Sequence, residues 1–292
     1  MTRPTSPNTF TAHTGRRPMT APTASLSAAP ADPNGAPPPL PLKFPQIARD
    51  LITKIEETQA DALRRTADLY ARSIAADGLV HLWGGGHSAM GVLETFPRIG
   101  SIVGFHPILE LPITYYSNVV GVSGLRQALF LERVEGYAET VLNNFDFGPH
   151  DCLEVISSTG INNVVVEIAL GAKARGLKVV AITSVAHQTS TEPRHSSGKR
   201  LVDVADVVID NCTPPGDASI HVDGADYPTS STSSVAVITI VQTLNAMVAE
   251  RLVQLGHKPL ILASPHFAHT QDESKRNIEE YYREFRRRQR RL

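Results

Sequence analysis

Leu153-Glu-Val-Ile-Ser157-Ser-Thr-Gly160-Ile-Asn162 carries the most informative local pattern in the chain. An apolar run of strand length ends in three consecutive hydroxyl side chains and a glycine, and a helical pattern follows at once. Hydroxyls, backbone N–H groups and the positive end of a helix dipole then meet at one point, which suits a phosphate or another anion. Downstream, residues 162–175 read as a helix with Val165, Ile168, Ala169 and Ala172 on one face. Gly176 is a natural C-cap, and Lys178-Val-Val-Ala-Ile-Thr183 is the next strand.

Working outward, residues 44–76 predict one long helix, with Ile47, Leu51, Ile55, Ala62 and Leu69 as a drifting apolar stripe and Asp77-Gly78 as its stop. Residues 79–83 read as a strand, then Gly84-Gly-Gly-His87-Ser88, then a short helix to Phe96. Residues 97–123 fit short strands and loops, and 124–145 a mostly helical segment. Residues 186–199 are polar, a loop carrying a helical turn; 204–209 and 260–262 are strands. Residues 235–255 form a long helix, apolar nearly all round at its start and so placed between layers, and 273–291 a final helix. Strand, turn and helix in repetition define an α/β three-layer sandwich with a mostly parallel sheet. In such sheets ligands sit outside the carboxyl ends of the strands, where both the glycine-rich and the hydroxyl-rich loops fall.

Composition narrows the class. With 41% hydrophobic and 20% charged residues the chain matches an ordinary globular protein, and a formal net charge of −1 supplies no global field for nucleic acid or membrane. Two cysteines, Cys152 and Cys212, without CxxC or HExxH, argue against a disulfide framework and a cysteine zinc site, and make a reducing cytoplasm the expected setting. Residues 1–42, rich in Pro, Ala, Thr and Ser, read as a disordered tail, a transit peptide or an over-long start preceding Met19. No apolar run approaches the ~20 residues needed to span a bilayer. The expected organisation is this tail, a domain over 43–265, and a loop with a basic helix over 266–292.

The glycine loop lacks P-loop spacing and the third glycine of a dinucleotide fingerprint, so it reads either as an ordinary βα turn or as a backbone open to a phosphate. Paired with Ile156-Ser-Ser-Thr-Gly160, it resembles the sugar isomerase (SIS) domain. The resemblance continues through residues 167–184 and 204–211 and covers about 44–262. Gly86-His87-Ser88, Met90, Glu94, Arg98, Arg194-His195-Ser-Ser-Gly-Lys199 and Asp210-Asn-Cys-Thr-Pro-Pro-Gly-Asp217-Ala218 resemble its uncharacterised bacterial sugar isomerase-like branch. Two departures stand out: Thr159 replaces a usual serine, and Ile161 a usual arginine, which lowers the expected anion affinity.

The resemblance implies a flavodoxin-like sandwich binding a sugar phosphate without a cofactor, as a homodimer or homotetramer. Gly86, Ser88, Ser157, Ser158 and Thr159 would hold the phosphate; the alternative is local capping of their own backbone. Aldose–ketose interconversion through an enediol needs a base, for which Glu94 and Glu167 are candidates, and a proton shuttle, for which His87, His195 and His221 are. Arg98, His195 and Lys199 are expected substrate contacts. Glu94 and Arg98, four apart, also fit a surface ion pair. His266, His269 and Asp272 invite a metal reading, set against a loop that lines the cleft or is merely solvated; no metal is expected. Arg283, Arg286, Arg287, Arg288, Arg290 and Arg291 read as a solvated helix end, the alternative being a surface for nucleic acid or an acidic partner, with Tyr281, Tyr282 and Phe285 docking that helix on the body or another subunit. The expected function is sugar-phosphate isomerisation, with an amino-sugar phosphate lyase or etherase and a non-catalytic phosphosugar sensor as alternatives.

Overall fold

A computed structural model describes residues 40–115 and 124–290. The expected tail up to residue 39, residues 116–123 and Arg291 lie outside them.

Five parallel strands form the central sheet: β1 (Val80–Gly84), β2 (Phe105–Pro107), β3 (Cys152–Ile156), β4 (Lys178–Thr183) and β5 (Val207–Asp210), in the order β2-β1-β3-β4-β5. Val80 pairs with Cys152, Cys152 with Lys178, and Val180 with Val207. Chain order reverses between β1 and β3, which is the topological switch point where ligands bind in such sheets. The strands are buried on both faces, and alternate side chains point to two separate cores. Val80, Leu82, Cys152, Ile156, Val180 and Ile182 join the core with α1 (Lys43–Ala75), α2 (Ala89–Thr95) and α8 (Ser233–Gln254). Trp83, Leu153, Val155, Val179 and Ala181 face the core built with α5 (Tyr137–Leu142) and α6 (Asn163–Ala174). The two cores make the expected α/β three-layer sandwich.

Several boundaries differ from expectation. The helical stretch over 124–145 is two helices, α4 (Gly124–Leu131) and α5, because Gly136 at φ 88° breaks it. A four-residue helix, α3 (Leu111–Thr114), is capped by Glu110, whose Oε1 accepts the Ile113 N–H at 2.9 Å. The polar loop holds α7 (Val185–Thr189). The expected strand at 260–262 is reduced to one antiparallel bridge, Ile102 with Ile261. A polar antiparallel hairpin, β6 (Ala218–Ile220) and β7 (Thr229–Ser231), was not expected.

α8 is long and apolar enough, by length and composition, to cross a membrane, which corrects the expectation that no run approaches that length. Ala236, Val237, Ile240, Val241, Leu244, Val248 and Leu252 are buried, and the helix packs along α1. The last helix, α9 (Gln271–Gln289), docks on the body. Tyr281 is fully buried with its hydroxyl 2.8 Å from Ser101 Oγ, and Phe285 packs on Phe96. Its arginines are only partly a solvated end. Arg287 pairs with Asp77 and Glu284, and Arg288 donates to the carbonyls of Ile74 and Gly78 at 3.0 Å, closing the C-terminus of α1.

Candidate active site

A cavity of about 410 Å³ opens at the carboxyl ends of β1 and β3, at the switch point. The loop after β1 contributes Gly85, Gly86, His87 and Ser88, and the loop after β3 contributes Ser157, Ser158 and Thr159. α6 begins at its edge with Asn162, and α8 with Ser233 and Ser234. α4 and the residues after it supply Leu125, Leu129, Glu132 and Arg133. Arg194 and Asp217 complete the wall.

The hydroxyl loop is shaped by local bonds. Ser157 Oγ accepts the Gly160 N–H at 3.1 Å, and Ser158 Oγ accepts from Asn211 Nδ2 at 3.1 Å. The local-capping reading is therefore partly met, but each hydroxyl that accepts still has its own proton to donate. Gly160 is obligatory: its φ is +60°, and a Cβ there would stand 1.9 Å from Nε2 of the buried Gln188. Gln188 is held from below, donating to Thr183 Oγ1 and accepting the Val202 N–H.

The two helix N-termini are treated differently. At α8, Asp217 Oδ1 accepts the Thr232 and Ser233 N–H groups at 2.9 and 2.7 Å, and Oδ2 accepts from Ser233 Oγ at 2.6 Å. That end already carries a resident anion. At α6 the N-cap residue Asn162 makes no capping bond. Its Nδ2 donates to Glu132 Oε2 at 2.7 Å, and its Oδ1 accepts from Arg194 Nη1 at 2.6 Å.

Glu132 is the carboxylate that the sequence did not single out. A Cβ on Gly85 would lie 3.4 Å from its Oε1, so the carboxyl group sits over the glycine loop. Burial pushes its pKa above the ordinary carboxylate range, with Glu110 adding to the rise, against the lowering effects of Arg133, Arg194 and the Asn162 hydrogen bond. The combination is a partly desolvated carboxyl group on the same cavity wall as a hydroxyl-rich loop, and such desolvated titratable groups in clefts are candidates for proton transfer.

The other expected site residues divide. Gly86, His87, Ser88, Ser157, Ser158 and Thr159 converge on the cavity wall. Glu94 does not: it pairs with Arg98 at 2.9 Å, and its Oε1 accepts from Gln242 at 2.8 Å, outside the lining, as the ion-pair alternative has it. Glu167 also lies outside, accepting the Gly136 N–H at 2.7 Å and standing 3.6 Å from His195 Nε2. His195 Nδ1 is 2.8 Å from Ser197 Oγ, and Lys199 is exposed away from the cavity. His221 is exposed on the strand hairpin side. Ile161 is buried in the fold, and the arginines at the cavity wall are Arg133 and Arg194. His266 lies within the single turn Pro265–Phe267 and His269 follows it, with the His269 N–H on Glu273; no group of three metal-ligating side chains comes together among the described residues.

A parallel sheet with its cavity at the switch point and a hydroxyl-rich loop beneath it is compatible with a SIS domain, and residues 43–184 match the SIS domain. A UPF0309 protein of Listeria monocytogenes serotype 4b is 35% identical over 214 residues, 73% of this chain and 84% of its own length. A UPF0309 protein of Caldanaerobacter subterraneus is 33% identical over 238 residues, 80% of this chain and 94% of the relative. The chain belongs to this UPF0309 family of SIS-domain proteins. Among solved structures, phosphoheptose isomerase from Neisseria gonorrhoeae is similar at 14% identity, over 70% of this chain and 95% of that one, with a TM-score of 0.44.

Proposed function

We propose that the cavity binds a sugar phosphate and that Glu132 moves a proton between adjacent carbons of the open-chain sugar. The observation that carries this reading is the partly buried Glu132 carboxylate on the same cavity wall as the Ser157-Ser-Thr159 loop. SIS-domain membership supports the ligand class. The phosphate would sit on the hydroxyls of Ser88, Ser157, Ser158 and Thr159, near the N-terminus of α6, with Arg133 and Arg194 balancing its charge. α8, already neutralised by Asp217, would face the sugar.

Glu132 would take the proton from the carbon beside the carbonyl, leaving an enediolate, and return it to the neighbouring carbon. A pKa above the ordinary range makes it a stronger base than a solvated carboxylate. His87, on the same wall, is the candidate for shuttling the hydroxyl proton. Glu94 and Glu167 drop to supporting roles in this proposal, since each is committed elsewhere. Self-association into a dimer or tetramer belongs to the same reading. The half-exposed apolar side chains Leu111, Leu125, Leu129 and Phe130 beside the cavity mouth support it.

Incubation with a panel of hexose and pentose phosphates in deuterated water, followed by NMR, tests the reaction. Isomerisation predicts an aldose–ketose mixture with deuterium at the exchanged carbon, slowed by roughly 10²–10⁴-fold in Glu132→Gln. A released second product would instead establish elimination. Bound but chemically unchanged sugars would overturn the catalytic half of the proposal.

A further inference from the structure

The segment over 191–200 forms a strap across the cavity edge. Arg200 closes its base, donating from Nε and Nη2 to the Thr191 carbonyl at 3.2 and 3.1 Å. Its crown is pinned twice to the body: the Ser196 N–H donates to Glu135 Oε1 at 2.7 Å, and His195 stands 3.6 Å from Glu167. Between these anchors the strap projects Arg194 onto Asn162.

Asn162 occupies a position where an asparagine side chain ordinarily accepts an N–H of its own helix. Here the amide is spent on a bridge. Its oxygen faces the Arg194 guanidinium and its nitrogen faces the Glu132 carboxylate. The reverse orientation would set an amide oxygen against a carboxylate and an amide N–H against a cation. The guanidinium has no acceptor and the carboxylate no donor, so Arg194 and Glu132 together fix the amide orientation, and the amide N–H then holds one oxygen of Glu132.

We infer that Arg194 is a positioning residue: through Asn162 it fixes one oxygen of Glu132 and leaves the other toward the glycine loop as the atom that takes the proton. The inference rests on the proposed role of Glu132. Glu167 and His195 then act at a distance, as the clasp that keeps the strap in place. The charged groups facing Glu132 are Arg133 on its own segment, Arg194 on the strap and Glu110 at the start of α3, with His87 and Asp217 on the same cavity wall. The Arg194 guanidinium works one residue removed from the carboxylate and is solvent-exposed, so its influence is modest, and its replacement leaves both cores untouched.

The test is a carbon-detected NMR titration of the glutamate side-chain carboxyls, with Glu132 assigned by its loss in Glu132→Gln. Arg194→Met and Asn162→Ala are each expected to move the Glu132 midpoint upward by about half to one pH unit, because each removes a partner favouring the charged form. Arg194→Lys keeps the charge but not the planar fork and should fall between wild type and Arg194→Met. A Glu132 midpoint that stays put in both Arg194→Met and Asn162→Ala would overturn the inference. If wild type turns over a sugar phosphate, the acid limb of its kcat/KM profile should follow the same order. If it turns over none, the proposed reaction fails while the titration still judges the bridge.

Discussion

Glu154 lies at the middle of β3, on the face it shares with Cys152 and Ile156, fully buried beneath α1. Tyr70 donates its hydroxyl proton to Oε2 at 2.8 Å, while Oε1 has no hydrogen-bond partner among the described residues. Burial dominates and pushes the carboxyl pKa from 4.5 to about 7, with the Tyr70 hydrogen bond opposing the rise. Since the folded value exceeds the unfolded one, the associated stability is fully present below pH 4.5 and is lost as pH rises towards 7. At about 1.4 kcal/mol per pH unit, the loss is about 3 kcal/mol. Glu154→Gln keeps an acceptor for Tyr70 and has no proton to lose. Urea unfolding at a series of pH values between 4.5 and 8 should therefore give a wild-type-minus-variant curve falling by about 3 kcal/mol, with the variant gaining most above pH 7. A difference curve flat to within ~1 kcal/mol would refute the claim that this carboxylic acid is carried neutral in the core.

Three further outcomes follow from the same geometry. Gly160→Ala should destabilise the protein by about 2–4 kcal/mol, from a left-handed alanine and a displaced Gln188, measured by urea unfolding; a loss under ~1 kcal/mol would contradict the close approach. Tyr281→Ala should cost about 3–5 kcal/mol, because a fully buried ring holds α9 on the body. Arg287→Ala, at a half-exposed ion pair, should cost less than about 1 kcal/mol in the same assay, and a reversal of that order would show that the helix is held by charge.

The central unit of the fold was legible because its signals are local. The 153–183 stretch carries a strand-length apolar run, a hydroxyl–glycine break, a one-faced helix and a glycine stop in succession, and β3, α6 and β4 fall there. The long helix α1 followed for the same reason, from its stripe and the Asp77-Gly78 stop. Glu132 was hidden because Glu132-Arg-Val-Glu135 looks like the solvated side of a helix, and only tertiary packing turns it over the glycine loop. Gly136 was the available clue: it splits the helical stretch and marks a turn that can aim side chains elsewhere. Glu94 and Glu167 misled for the converse reason. Both lie on helices adjoining the loops, yet helix geometry turns Glu94 to Gln242 and Glu167 to the strap. The polar hairpin β6–β7 carries no alternating apolar pattern, so periodicity could not announce it.

Retention of a sugar's phosphate by the Ser157-Ser-Thr159 loop and the glycine loop is the step on which the proposed function depends. Calorimetric titration of wild type and the Ser88→Ala/Ser157→Ala variant with a panel of hexose and pentose phosphates, alongside the unphosphorylated sugars, tests it most directly. The prediction is saturable binding that requires the phosphate and weakens by at least ~10-fold in the variant, the loss of one or two charge-assisted hydrogen bonds. Equal affinity in the two proteins, or binding of the free sugars as tight as that of their phosphates, would contradict it.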